Sequence, residues 1–411
     1  MSYKTDQWFT SPWNFAEGVR SQLNFAKKIE LHDVTLRDGE QQAGITFSKD
    51  DKIRIAEKLA EIGIHRIEAG MPAVSKEDES AIKEIVKRNL GPKIFAFSRC
   101  MKEDVKRAVD CGVDGIVVEI PSSEHIIEHA YRWPLEKAIE LSIEATLYAK
   151  ENGLYTVFFP IDGSRADINW FLDIIQRIEK EGHMDALAVV DTFGGCSPHA
   201  IPYLIKKIKE RISKPLETHF HDDFGLGAAN TILALAAGAD VAHTTVSAMG
   251  ERAGNAGYED VVMSLLTMYD IDLGIKTEKL YETSKFVRGI AGMPVRGNRG
   301  IIGDDIFKIE SGIISAWLKN CGQEHALELS PYRAELVGHL PPEIVLGKNS
   351  GADSVKIWLE RLGRKLNDDE LVYIQEDTIL EIVGRVKDKA LAKKGLLSLQ
   401  DFELILKDFG L

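Results

Sequence analysis

The sequence predicts an α/β protein whose main domain is a (β/α)8 TIM barrel, followed by a C-terminal, mainly helical appendage. Three observations carry this. From about Lys28 onward, short β-branched runs alternate with amphipathic stretches of helical period, each closed by a glycine before the next run. Strands alternating with helices require a parallel sheet, and eight such units suit a closed barrel better than an open doubly wound sheet. The polar clusters of the chain fall just after predicted strands, where a barrel of this kind forms its active site.

The strands are expected at residues 29–33, 66–69, 94–97, 115–120, 155–159, 186–191, 216–221 and 241–245, with helices such as 51–61, 102–110 and 134–151 between them. No G-x-G-x-x-G follows the first strand, which weighs against a dinucleotide-binding fold. The barrel is expected over residues 29–285 and a connecting subdomain over 286–340, beginning with the Gly-rich, basic stretch 291–303. A small helical subdomain is expected over 341–411, with Leu366-Asn367-Asp368-Asp369 capping one helix and Lys394-Gly395 ending the next. Residues 1–28, with Trp8, Phe9, Trp13 and Phe15, carry too many aromatics for a free tail and are expected to dock on the barrel or on a second subunit.

At 411 residues the chain exceeds one ordinary core, in keeping with a barrel of about 250 residues plus an appendage. Hydrophobic residues at 44% and charged residues at 28% are the balance of a soluble globular protein. A net charge of −13 without a basic stripe argues against nucleic acid as a partner and leaves small molecules. No apolar run is long enough to span a membrane and the polar N-terminus lacks the apolar core of a signal peptide, so a cytoplasmic location is expected. Cys100, Cys111, Cys196 and Cys321 show no C-x-x-C spacing and suggest neither disulfides nor a thiolate zinc site. Cys196, beside Gly194-Gly195, is the one worth following.

Three rim clusters carry candidate chemistry. Asp33-Val-Thr-Leu-Arg37-Asp38-Gly-Glu-Gln41 follows the first strand and sets a carboxylate beside a guanidinium, as a metal and oxyanion site or as a surface ion pair in a turn. His219-Phe220-His221-Asp222-Asp223 ends the seventh strand, where a two-residue spacing puts both imidazoles on one face. Gly250-Glu251-Arg252-Ala253-Gly254-Asn255 follows the eighth strand, its glycines allowing a tight turn while Glu251, Arg252 and Asn255 point inward. One carboxylate and two neutral imidazoles form a mixed set with open positions, suited to Mg²⁺, Mn²⁺ or Zn²⁺ alike. Such an ion can chelate a 2-oxo acid while Arg37 stabilises charge developing on its oxygen.

These residues resemble a known family. Thr35-Leu-Arg-Asp-Gly-Glu-Gln41, Ile67-Glu-Ala-Gly-Met-Pro-Ala73, Asp191-Thr192, His219-x-His221-x-Asp223-x-Gly225 and Gly250-Glu-Arg-Ala-Gly-Asn255 are similar to the signatures of the isopropylmalate, homocitrate and citramalate synthases of the DRE-TIM metallolyase superfamily. The similarity runs on through Val345-Leu-Gly-Lys-Asn-Ser-Gly351. The resemblance implies condensation of an acyl-CoA, usually acetyl-CoA, with a 2-oxo acid to a 2-hydroxy dicarboxylate. It makes Asp38, His219 and His221 metal ligands with Asn255 nearby, and gives Arg37 and Glu251 catalytic roles. Gln41, Thr192 and His125 would contact substrate, and Arg99 or Arg132 would grip a second carboxylate. The version of the Ile67–Ala73 motif is closer to that of homocitrate synthases. A homodimer is implied, and no counterpart of the regulatory domain of feedback-inhibited relatives is expected.

Two departures stand out. Phe158-Phe-Pro-Ile-Asp162 puts Ile161 where the family pattern has Glu, and Ser311-Gly-Ile-Ile314 puts Ile314 where it has the His thought to help deprotonate the acyl-CoA. Proton transfer of this kind is worth about 10²–10⁴ in rate. A different base, such as Tyr332 or His325, is then needed, or the reaction runs as a metal-dependent lyase or aldolase that cleaves a 2-hydroxy acid without CoA. A non-catalytic binding barrel is the third reading.

Overall fold

The computed structural model describes residues 3–322, 324–364 and 374–411. Eight parallel strands close into a barrel in chain order: β1 (Glu30–Asp33), β2 (Arg66–Glu68), β3 (Lys93–Arg99), β4 (Gly115–Pro121), β5 (Tyr155–Ile161), β6 (Ala186–Asp191), β7 (Leu216–Phe220) and β8 (Val241–Thr244). The ring closes where Glu30, Leu31, His32 and Asp33 of β1 pair with Val241, Ala242, His243 and Thr244 of β8. Every predicted strand is found, within a few residues at its ends.

The helices between them start and stop for local reasons. Lys49–Ile62 begins at a capping box, in which Ser48 Oγ accepts from the Asp51 N–H and Asp51 accepts from the Ser48 N–H, and it ends at Gly63 with φ 98°, a conformation that favours glycine. Lys102–Cys111 and Leu135–Glu151 lie where the 3.6-residue period places them.

The chain forms two compact units. One holds residues 12–295 and 300–302; the other holds residues 3–11, 296–299 and the described part of 303–411. The aromatic N-terminus is shared between them. Phe9 N–H donates to Pro331 O at 2.8 Å and Arg333 N–H to Gln7 O at 2.8 Å in the second unit, while Asn24 N–H donates to Ala236 O at 2.7 Å in the first. The second unit packs helices Ala352–Arg361, Glu376–Lys393 and Leu399–Asp408 around Trp358 and Phe402, whose rings meet edge to face at 5.5 Å. Lys394 closes the helix Glu376–Lys393 with φ 54°, whereas the expected cap at 366–369 lies outside the described residues.

Inside the barrel the side chains divide into two halves. On β3 to β6, alternate residues Phe95, Phe97, Val117, Val157, Phe159, Ala186, Ala188 and Val190 form an apolar cluster. On β1, β2, β7 and β8 the interior is polar: His32, Glu68, Glu217, His219 and His243 are all buried. Glu217 accepts from Arg66 Nη1 at 2.8 Å and meets His243 Nε2 at 2.8 Å. Withdrawing such groups from water costs several kcal/mol per ion, so each depends on its partner. Arg66→Met therefore leaves Glu217 short of its cation and is expected to destabilise the protein by about 3–5 kcal/mol. A lowered thermal midpoint by circular dichroism measures this, and an unchanged midpoint refutes it.

Candidate active site

At the C-terminal mouth of the barrel, Val34 to Gln41 turn over the end of β1. Asp33 shapes the turn by accepting from the Thr35 N–H at 2.9 Å and the Thr35 hydroxyl at 3.0 Å. Burial pushes the Asp33 carboxyl up to about 7. The turn delivers Arg37 and Asp38 into the mouth, both almost fully buried. Arg37 Nε donates to Glu68 of β2, while its Nη1 donates to Asp38 Oδ2 at 2.8 Å and to Gln41 Oε1 at 3.0 Å. Its guanidinium lies 4.0 Å from the centre of the Phe97 ring. The surface ion pair considered from the sequence is thus a buried network.

His219 and His221 meet Asp38 from β7 and its end, with Nε2 atoms 3.5 and 4.0 Å from Asp38 Oδ2. The three ligand atoms lie within 4.8 Å of one another. Asn255 Nδ2 donates to Asp38 Oδ1 at 2.7 Å, and the buried Asn255 Oδ1 has no hydrogen-bond partner. One carboxylate, two imidazoles and an orphaned amide oxygen form a donor set that fits a hard or borderline divalent cation.

Protonation states favour the same conclusion. Burial pushes the Asp38 carboxyl up, but Arg37 and the two imidazoles outweigh it and hold the group well below the usual carboxylate range. Burial pushes His219 down to about 3 against the pull of Asp38, and lowers His221 as well. Behind His219, its Nδ1 lies 3.3 Å from His243 Nδ1, and His243 Nε2 faces the Glu217 carboxylate. If His243 donates to Glu217, its Nδ1 accepts from His219 Nδ1–H, which leaves the His219 Nε2 lone pair facing Asp38 and free for an ion.

Arg37, Asp38, Gln41, Thr192, His219, His221 and Glu251 line one cavity of about 120 Å³, together with Phe97, Glu119, Phe159, Ile161 and Val190. Thr192 Oγ1 accepts from the Asp162 N–H at 2.8 Å. Three expected residues turn elsewhere. Arg99 is clamped on Asp104 by contacts of 2.7 and 3.2 Å. His125 Nε2 lies 3.0 Å from Asp162, a carboxylate already held by Arg165 and Ser123. Arg252, expected to point inward, pairs instead with Asp223 at 2.9 and 3.0 Å, because that carboxylate matches its fork from the neighbouring loop. Cys196 donates its N–H to Asp191, and burial pushes its thiol up to about 11, which leaves no thiolate at neutral pH.

The polar interior was not singled out from the sequence, although Glu30-x-His32, Arg66-x-Glu68 and Glu217-x-His219-x-His221 repeat polar residues at the strand period of two. Glu119 stands alone on its strand and offers no such signal.

Two outcomes follow from this geometry. At pH 7 Asp38 is already ionised and both imidazoles are neutral, so Mn²⁺ uptake is expected to release close to zero protons from the protein. Titration calorimetry in buffers of different ionisation enthalpy measures this, and release of a whole proton contradicts it. Gly250 has φ 148°, and a Cβ there would lie 2.2 Å from Asn255 Nδ2 and 2.8 Å from Asp38 Oδ1. Gly250→Ala is expected to weaken Mn²⁺ binding about 10–100-fold, as loss of ligand support does elsewhere.

The HMGL-like family model matches residues 28–287. The chain is 36% identical over 372 residues to the homocitrate synthase AksA of Methanothermobacter thermautotrophicus, covering 90% of this chain and 92% of that one. It is 39% identical over 394 residues to a probable 2-isopropylmalate synthase of Ignicoccus hospitalis, covering 91% and 96%. The (R)-citramalate synthase CimA of Methanocaldococcus jannaschii is 36% identical, with 89% and 76% covered. Among solved structures, an HMG-CoA lyase of Bacillus subtilis superposes with a TM-score of 0.60 at 22% identity, covering 66% of this chain and 97% of that one, which shows the shared barrel. The chain belongs to the HMGL-like family.

Proposed function

We propose that this protein is a divalent-metal-dependent acyltransferase that joins the acyl carbon chain of an acyl-CoA, acetyl-CoA foremost, to the keto carbon of a 2-oxo acid and releases CoA. The observation that carries the reading is the Asp38, His219 and His221 donor set held against Arg37 in one cavity, in a chain that aligns with homocitrate, isopropylmalate and citramalate synthases over about nine-tenths of its length. Supporting it, a cleft of about 400 Å³ shares Arg37 and Gln41 with that cavity, a size that suits the arm of a cofactor-sized thioester.

In this reading Asp38, His219 and His221 hold the ion, with Asn255 beside them. Bound there, Mg²⁺, Mn²⁺ or Zn²⁺ acts as a Lewis acid toward the 2-oxo group. Arg37, fixed by Glu68, Asp38 and Gln41, orients the 2-oxo acid and stabilises negative charge on its oxygen. Gln41 and Thr192 offer hydrogen bonds to the substrate, and Glu251 stands at the mouth. Phe97, Phe159, Ile161 and Val190 form an apolar wall that excludes water from the reacting carbons. Cytoplasmic location and a homodimer belong to the same proposal and rest on the family resemblance; light scattering of the purified protein tests the second.

A carbon–carbon lyase acting on a 2-hydroxy acid is the second reading, favoured by Ile161, which places an apolar side chain in the cavity. A panel of 2-oxo acids with acetyl-CoA and Mg²⁺ or Mn²⁺, read by free thiol and product mass, separates the two. Condensation predicts thiol release that requires both a 2-oxo acid and the ion. Asp38→Asn and Arg37→Lys are each expected to lower kcat by about 100-fold or more. Thiol release indifferent to both substitutions would sink the mechanism.

A further inference from the structure

Glu119 lies on β4, three strands from β1 and three from β7 in the closed ring, so it faces the Asp38, His219 and His221 group from across the mouth. It sits in register between Arg99 of β3 and Phe159 of β5, and inward-facing Val117 places it on the interior side of the strand. It shares the cavity with the apolar Phe97, Phe159 and Ile161 and with the charged Arg37, Asp38 and Glu251. Among the described residues its carboxyl makes no hydrogen bond and no ion pair. Arg99, its pairing neighbour, is spent on Asp104, while Arg37 gives its Nε to Glu68 and its Nη1 to Asp38 and Gln41 and keeps a buried Nη2 without a hydrogen-bond partner.

This half-buried carboxyl, without a hydrogen-bond partner, opens onto the space where the reading above puts the substrate. The other ionisable groups of the cavity are engaged: Asp38 and the imidazoles with one another, and Glu251 half exposed on the loop near Arg252. Resting on that reading, we propose that Glu119 is the acid–base residue of this cavity, carrying a proton from the donor carbon of the acyl group to the oxygen of the 2-oxo acid.

The balance is simple. The Glu119 carboxylate takes the proton from the donor carbon, and the electron pair of that C–H bond forms the new C–C bond to the keto carbon. The keto π pair moves to oxygen beside Arg37, and the Glu119 carboxylic acid returns the proton there as the new hydroxyl. Hydrolysis of the thioester by water follows separately and releases the thiol. Cleavage of a 2-hydroxy acid is the same path reversed. Burial pushes the Glu119 carboxyl up against the pull of Arg37 and Arg99.

The test uses the full chain with Mn²⁺ and the 2-oxo acid that wild type turns over best. Glu119→Gln, which keeps the shape, is expected to lower kcat about 10²–10⁴-fold. Calorimetric affinities for Mn²⁺ and for the 2-oxo acid should stay within about threefold, and Glu119→Asp should recover part of the rate. The acid or base limb of the wild-type pH–rate profile that belongs to Glu119 should vanish in Glu119→Gln. A kcat within about tenfold of wild type overturns the proposal, as does an affinity for the 2-oxo acid that falls as far as the rate, since that marks a binding role. If wild type releases no thiol with any 2-oxo acid, the condensation reading fails by itself. The same variants are then measured in 2-hydroxy acid cleavage, where the same loss supports the role of Glu119 and its absence, or an inactive wild type, overturns it.

Discussion

The mouth of the barrel depends on the buried guanidinium of Arg37. It binds Glu68 from the next strand, Asp38 beside it and Gln41 one turn on, and it rests on the face of Phe97. A guanidinium does not lose its proton under any ordinary condition, so Asp38 must stay anionic to neutralise it. Burial keeps His219 and His221 neutral against the pull of the Asp38 charge. Removal of Arg37, Asp38 or Glu68 would leave a charge short of its partner in a medium that solvates it poorly.

That network is built across the polar half of the interior, and the apolar half gives it its strength. Phe97, Phe159 and Val190 exclude water on one side of the cavity, which lowers the local dielectric response and enlarges each electrostatic contact on the other. Beneath the mouth, the line from His219 through His243 and Glu217 to Arg66 holds the imidazole in one orientation. A ligand position and a structural ion pair thus belong to one continuous set of contacts, and stability and metal affinity are coupled through them.

Likeness to known proteins differs in extent between relatives and solved structures. The synthases align over about 90% of the chain, whereas the HMG-CoA lyase structure covers 66% of it. What is shared with the lyase is a barrel, which by itself serves either making or breaking a bond. Both Ile161 and Glu119 line the cavity in which either reaction would take place.

The sequence alone determined the barrel, because strand and helix periods are local properties of consecutive residues. It also marked Asp38, His219, His221, Gln41, Thr192 and Glu251, because each sits next to a strand end and strand ends in a barrel converge. Only the tertiary structure decided which partner each long side chain takes. Arg99 and Arg252 look alike in the sequence to Arg37, yet Asp104 and Asp223 claim them, while His125 goes to Asp162. The buried pairs of Glu68, Glu217 and His243, and the unpaired carboxyl of Glu119, likewise depend on neighbours far away in the chain. Partner choice in a closed barrel is set by register between strands, and no spacing along one strand contains it.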